Sequence, residues 1–224
     1  MRDKMKPIIA LNLKVYTESL GSRGAELCRT AAEVSLLTGV RIIVAPQVVD
    51  LREACQICGD VFAQHVDAVE PGAFTGTLTV EAIKAAGCKG SLVNHSEHRL
   101  PEEQIAKAIA RLKEAGLESM LCTKDAEESA RLAAYEPTYI AVEPPELIGS
   151  GISVSTAKPE VVSGTVEAVA KVNGTPVLCG AGVSNASDVK KAVELGAAGV
   201  LLASAYVKAK DPKKLLLEMA ESLA

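Results

Sequence analysis

The chain has 224 residues, of which 48% are hydrophobic and 23% charged, the make-up of a globular protein with a sizeable core. Its 24 Lys and Arg against 28 Asp and Glu leave a net charge of −4, which offers nucleic acid no basic face. Four Tyr, two Phe and no Trp are too few for a base-stacking platform. Most of the apolar mass is Ala, Val, Leu and Ile, as expected of buried parallel strands covered by helices. Near the N-terminus Asn12 and Lys14 break the first apolar run, and the late run over 197–207 is too short to span a bilayer. The expectation is a cytoplasmic enzyme with no membrane segment.

Apolar, β-branched runs then recur along the chain, at 7–13, 41–45, 61–64, 90–94, 119–122, 139–142, 176–179 and 199–202. Helix signals lie between them. Thr79 opens a helix that stops at Gly87, and Pro101-Glu102-Glu103 opens one that stops at Gly116. Asp125 with Glu128 has capping-box spacing, Lys158-Pro159 starts a further helix, and Ser187 is placed to cap one ending at Gly196. Asp211-Pro212 begins the last. Eight strand–helix units of about 28 residues, with no linker between them, predict a single α/β domain over 1–224. The predicted architecture is a closed, parallel eight-stranded (β/α)8 barrel; an open doubly wound sheet is the alternative, and no GxGxxG follows the first strand to support it.

Six cysteines, at 28, 55, 58, 88, 122 and 179, are too sparse for a disulfide scaffold. Cys55 and Cys58 form a CxxC inside the amphipathic run VVDLREACQIC, and with no second pair they read as two half-buried helix cysteines. No His, Cys and carboxylate group has metal-ligand spacing, so neither metal nor cofactor is expected.

In a barrel of this kind chemistry collects at the C-terminal ends of the strands. Here those ends read Asn12-Leu13-Lys14, Gln64-His65, Asn94-His95-Ser96-Glu97, Glu143-Pro144-Pro145, Gly180-Ala181-Gly182 and Ala203-Ser204. Lys14 alone could be a solvated loop residue. Beside the small residues of the seventh and eighth ends it becomes a fixed cation facing a phosphate held by backbone N–H groups. His95 leads into a short turn, where a neutral imidazole can donate a hydrogen bond to a carbonyl. His65 and His98 read as structural. Glu143, at the end of an apolar strand, is placed to serve as a general base. The prolines after it and Gly149-Ser150-Gly151 frame a hinged lid over 144–158. A base, a neutral imidazole, a cation and a phosphate nest suit proton abstraction beside the carbonyl of a small phosphorylated substrate.

These motifs resemble triosephosphate isomerase, in its short archaeal-type branch. The residues that carry the resemblance are Asn12-x-Lys14, Asn94-His95-Ser96-Glu97 with Arg99, Val142-Glu143-Pro144 leading to Ile148-Gly149-Ser150-Gly151, Gly72-Ala73-Phe74-Thr75-Gly76, and the glycine turn of the seventh strand. The resemblance implies a TIM barrel with somewhat trimmed outer helices that interconverts dihydroxyacetone phosphate and D-glyceraldehyde 3-phosphate without cofactor. It implies Glu143, His95 and Lys14 as catalytic residues, a division of roles already attributed to this family. Substrate would also meet Asn12, Leu13, Ile148, Gly149, Gly182, Ala203 and Ser204, with Glu97 in support. Thr75 would reach a second subunit and buttress its site, and a homotetramer is favoured over a homodimer. Two other readings stand beside this one. Another phosphate-binding barrel, such as a phosphoribosyl isomerase, explains the nest but not Lys14, His95 and Glu143 together. A barrel that binds a sugar phosphate without turning it over would be expected to have lost Glu143 or His95.

Overall fold

The computed structural model describes residues 6–144 and 153–223. Eight parallel strands form one sheet: β1 (Ile8–Asn12), β2 (Arg41–Ala45), β3 (Phe62–Ala63), β4 (Gly90–Val93), β5 (Glu118–Thr123), β6 (Tyr139–Val142), β7 (Val177–Gly180) and β8 (Gly199–Leu202). The hydrogen-bonded order runs β2-β1-β8-β7-β6-β5-β4-β3, and a parallel bridge from Val44 to Val61 joins the two ends. The sheet is therefore a closed barrel, as the repeat predicts. The β1–β8 pairing depends on Gly199, whose φ is +143° and whose Cβ position would fall 2.0 Å from the Ile8 carbonyl oxygen. No other residue fits so close to a neighbouring backbone.

Helices follow the strands around the outside: α1 (Ser22–Thr38), α2 (Leu51–Ile57), α3 (Val80–Ala86), α4 (Glu102–Glu114), α5 (Ala126–Ala133), α6 (Val154–Ala157), α7 (Pro159–Ala170), α8 (Ala186–Glu194), α9 (Ser204–Val207) and α10 (Pro212–Glu221). Several have only two or three turns, in keeping with a trimmed outer layer. Their starts carry the expected caps. Thr79 accepts from the Ala82 N–H, Asp125 from Glu128 and Asp211 from Lys214. Two expectations are corrected. Asn185, not Ser187, caps α8, its Oδ1 accepting from the Asp188 N–H at 3.1 Å. The Asp125–Glu128 box is only half made, because the Glu128 carboxylate accepts from the Lys124 N–H and pairs with Arg99 instead.

The core has two concentric parts. Inside the barrel lie Ile8, Ala10, Ile43, Phe62, Leu92, Met120, Cys122, Tyr139, Ala141, Leu178 and Leu201. A larger cluster, including Ile9, Leu11 and Leu13, fills the space between strands and helices. Strand side chains alternate between these two spaces, and the same parity decides which residues at each strand end face the mouth.

At the opposite end of the barrel, Arg41 pairs with Asp60 at 2.6 Å and Glu118 at 3.0 Å and donates to the Tyr139 hydroxyl at 2.8 Å. Arg41, Glu118 and Tyr139 begin β2, β5 and β6, so this charged cluster ties strand starts together, and at that end of a barrel such a cluster serves stability.

Candidate active site

Inward parity continues past the last strand residues. Ile8 and Ala10 lead to Asn12, and Tyr139 and Ala141 lead to Glu143; both Asn12 and Glu143 are buried. They line a cavity of about 350 Å³ with Lys14, Tyr16, His95, Gly182, Ala203, Ser204 and Lys208. The same parity sends Leu13 the other way. Its side chain is fully buried in the layer beneath the helices and does not wall the cavity, which leaves its backbone as the part that can meet a ligand. Ile148, Gly149 and most of the expected lid lie outside the described residues.

The loop after β1 is shaped by side chains. Lys14 sits at φ +46°, and the Asn12 Oδ1 accepts its backbone N–H at 2.9 Å. Gln64 donates from Nε2 to the Lys14 carbonyl at 3.1 Å and to the Ala45 carbonyl at 3.0 Å. The Lys14 ammonium meets Glu97 Oε1 at 2.8 Å. That pair joins the ends of β1 and β4 across the mouth.

His95 is held in one orientation. Asn94 lies at φ +62°, a conformation that Asn tolerates better than most residues. Its Nδ2 donates to the Cys122 carbonyl at 3.0 Å and its Oδ1 accepts from the Leu100 N–H at 2.9 Å, closing the 94–100 loop. Within that loop the Glu97 N–H donates to His95 Nδ1 at 3.2 Å. A backbone N–H can only donate, so Nδ1 is the bare nitrogen and Nε2 carries the ring proton. Nε2 in turn lies 3.5 Å from Glu143 Oε1.

Glu143 Oε2 is buried and makes no hydrogen bond among the described residues. A carboxylate oxygen without a fixed partner is free to take a proton. Behind it stands Cys122, whose thiol is pushed well above the ordinary range, first by complete burial and then by the charge of Glu143. On the other side, a Cβ at Gly180 would fall 2.7 Å from Glu143 Cγ, so glycine there leaves room for the Glu143 side chain. Ser96 Oγ, in the same region, is also buried and unpaired.

The remaining candidates lie elsewhere. Thr75 is exposed and does not line its own chain's cavity. His65 and His98 stack with ring centroids 4.0 Å apart, and neither walls the cavity. Cys55 is half-buried on α2 and Cys58 is buried just past it; the Cys55 sulfur faces Cys88 at 3.8 Å, not its CxxC neighbour. Sequence reasoning gave no role to Asn94 or Cys122, and it placed Gly180 in the phosphate turn and not beside Glu143. An Asn immediately before the imidazole and inward parity at 122 and 180 were the available signals.

A closed parallel barrel with a buried carboxylate, an oriented imidazole and a paired ammonium at its C-terminal mouth defines a (β/α)8 enzyme with its titratable groups gathered at the strand ends. The family model described as Triosephosphate isomerase matches residues 7–222. Proteins named triosephosphate isomerase are similar over almost their whole length. The one from Methanothermus fervidus is 53% identical, covering 96% of this chain and 97% of its own. That from Methanocaldococcus jannaschii is 51% identical, covering 95% and 98%, and that from Methanosarcina acetivorans 49%, covering 95% and 97%. The chain belongs to the triosephosphate isomerase family.

Proposed function

We propose that this chain interconverts dihydroxyacetone phosphate and D-glyceraldehyde 3-phosphate, as a cytoplasmic enzyme of glycolysis and gluconeogenesis folded as one domain. The observation that carries the reading is the His95–Glu143 pair, with the protonated Nε2 and a carboxylate oxygen 3.5 Å apart on one wall of the cavity. In the forward direction Glu143 takes the proton from the carbon beside the carbonyl, and the electron pair moves to the carbonyl oxygen to give an enediolate. His95 Nε2–H and the Lys14 ammonium stabilise the negative charge on that oxygen. A proton shifts from the hydroxyl oxygen on the deprotonated carbon to this oxygen, and the Glu143 carboxylic acid returns its proton to the former carbonyl carbon, so that the new carbonyl forms on the adjacent carbon. Phosphate lies against backbone N–H groups at Gly182, Ala203 and Ser204, where small side chains permit close approach. A coupled assay with D-glyceraldehyde 3-phosphate tests this directly; a folded chain with no isomerase activity overturns it.

The chemistry needs a base, a hydrogen-bond donor and fixed charge, and no redox step. Among the described residues no group of three His, Cys, Asp or Glu is placed to hold a metal ion. Exhaustive chelation with EDTA is expected to leave kcat and KM unchanged. Activity lost on chelation and restored by one added metal would require a different mechanism.

The assembly proposed is a homo-oligomer, a tetramer ahead of a dimer. Phe74 is 57% exposed at the tip of the uncharged 72–76 loop, and Val49 after β2 is 80% exposed. Apolar groups this bare near one end of a barrel are suited to burial against a second copy. Thr75 would then stand near the neighbour's Lys14 and His95. Light scattering at micromolar concentration is expected to give a mass well above the monomer's 23.3 kDa. A fully active monomer would overturn the assembly, and a stable active dimer would overturn the tetramer alone.

A further inference from the structure

Among the described residues two lysines line the cavity, and the chemistry above uses one of them. The Lys14 ammonium is already matched by Glu97 at 2.8 Å, so much of its charge is answered before a substrate arrives. Lys208 is in a different state. It follows α9 directly, its backbone N–H donating to the Ser204 carbonyl at 2.9 Å, so its side chain rises from the same face of that helical turn as Ser204. Both residues wall the cavity on the side of Gly182 and Ala203. The Lys208 ammonium stands 4.3 Å from the centroid of the Tyr16 ring and has no ion pair with any described carboxylate.

Tyr16 is itself well placed as a platform. It is half-buried in the cavity wall, and its carbonyl accepts from both the hydroxyl and the N–H of Ser19, each at 2.9 Å. Ser19 is buried, so this short turn anchors the ring's backbone. A tyrosine face attracts an ammonium through its quadrupole but carries no formal charge to cancel it. A lysine kept this way is pre-oriented, and no described carboxylate cancels its charge. Glu97 does the opposite for Lys14.

The charge balance then matters. A phosphate monoester carries between one and a half and two negative charges near neutrality, by analogy with phosphorylated side chains at roughly −1.5 to −2. Among the described residues walling the cavity, Glu143 is the one carboxylate. A dianion entering this space meets one lysine already paired and one unpaired. Resting on the functional reading above, we propose that Lys208, held on the Tyr16 ring, is a second cation for the substrate's phosphate and a residue that sets specificity for phosphorylated over unphosphorylated substrates. The four-carbon stem lets the ammonium leave the ring for the phosphate without backbone movement.

The test compares wild type with Lys208→Met, which keeps an apolar stem of similar length, using D-glyceraldehyde 3-phosphate and unphosphorylated D-glyceraldehyde. The ratio of kcat/KM between the two substrates is expected to fall about tenfold, mostly through KM, the loss of one charge-assisted contact at a partly exposed site. Inhibition by inorganic phosphate should weaken by a similar factor. Lys208→Arg should restore most of both, and Tyr16→Leu should show a smaller loss of the same kind. A variant whose substrate ratio and phosphate inhibition stay within twofold of wild type overturns the proposal. So does an equal loss on both substrates, which would mark a structural role. If wild type turns over neither substrate the functional reading fails, and calorimetric binding of inorganic phosphate to wild type and Lys208→Met still decides the role of Lys208.

Discussion

Glu143→Gln is expected to fold as wild type and to lose kcat by a factor on the order of 10²–10⁴, the usual contribution of a positioned general base. The substitution is nearly isosteric, which matters because the space is tight. Gly180 lies against Glu143 Cγ on one side and buried Cys122 stands behind the carboxylate. Of the two carboxylate oxygens, Oε2 has no hydrogen bond among the described residues, so an amide in its place breaks none of those. The loss should therefore appear in kcat, while the inhibition constant of an inert phosphate analogue, which depends on the far side of the cavity, changes little. Glu143→Asp would draw the carboxylate back by a methylene. A displacement of about 1 Å is enough to cost on the order of 10² in rate, so this variant should be severely impaired although it keeps the charge. Near-normal turnover in folded Glu143→Gln would end the assignment of this residue as the base.

Much of the architecture was legible because one device, the apolar strand followed by a capped helix, is repeated eight times. The starts of α3, α5 and α10 could be read from Thr79, Asp125 and Asp211, whose side chains do accept the orphan N–H groups. The readings that moved did so where a side chain had a tertiary partner. Glu128 forgoes the capping box because Arg99 lies within reach, and α8 starts earlier than Ser187 because Asn185 meets the same N–H need. Ordered β3 is only Phe62–Ala63, since Gln64 turns to hold the Lys14 and Ala45 carbonyls. In the site, Asn12, Lys14, His95, Glu143, Gly182, Ala203 and Ser204 come together around one cavity. Leu13 lies between two cavity residues in sequence, and strand parity turns its side chain to the opposite face. The supporting contacts of Asn94, Gln64 and Gly180 were out of reach, because each is made to residues at least six positions away.

His95→Gln carries the second largest expected effect, a fall in kcat on the order of 10²–10³, comparable with removing one fixed donor from an oxyanion site. The argument rests on which nitrogen holds the proton. Nδ1 accepts the Glu97 N–H at 3.2 Å, and the closed 94–100 loop keeps that N–H in place. The ring can present Nε2–H to a carbonyl while neutral, and it need not be charged to act. A neutral donor suits an enediolate because the proton can be shared with the developing oxyanion and recovered, whereas an imidazolium in this turn would set its second N–H against the Glu97 N–H. Glutamine can offer an N–H from its side chain but cannot accept and donate along the same fixed axis, so part of the activity should survive and most should not. Two measurements check this. Steady-state kinetics should show the loss in kcat with KM changed far less. In ¹⁵N-labelled wild type, NMR should find the His95 proton on Nε2 with Nδ1 bare. A proton resident on Nδ1 would reverse the tautomer, break the Glu97 contact and remove His95 as the donor to the substrate oxygen.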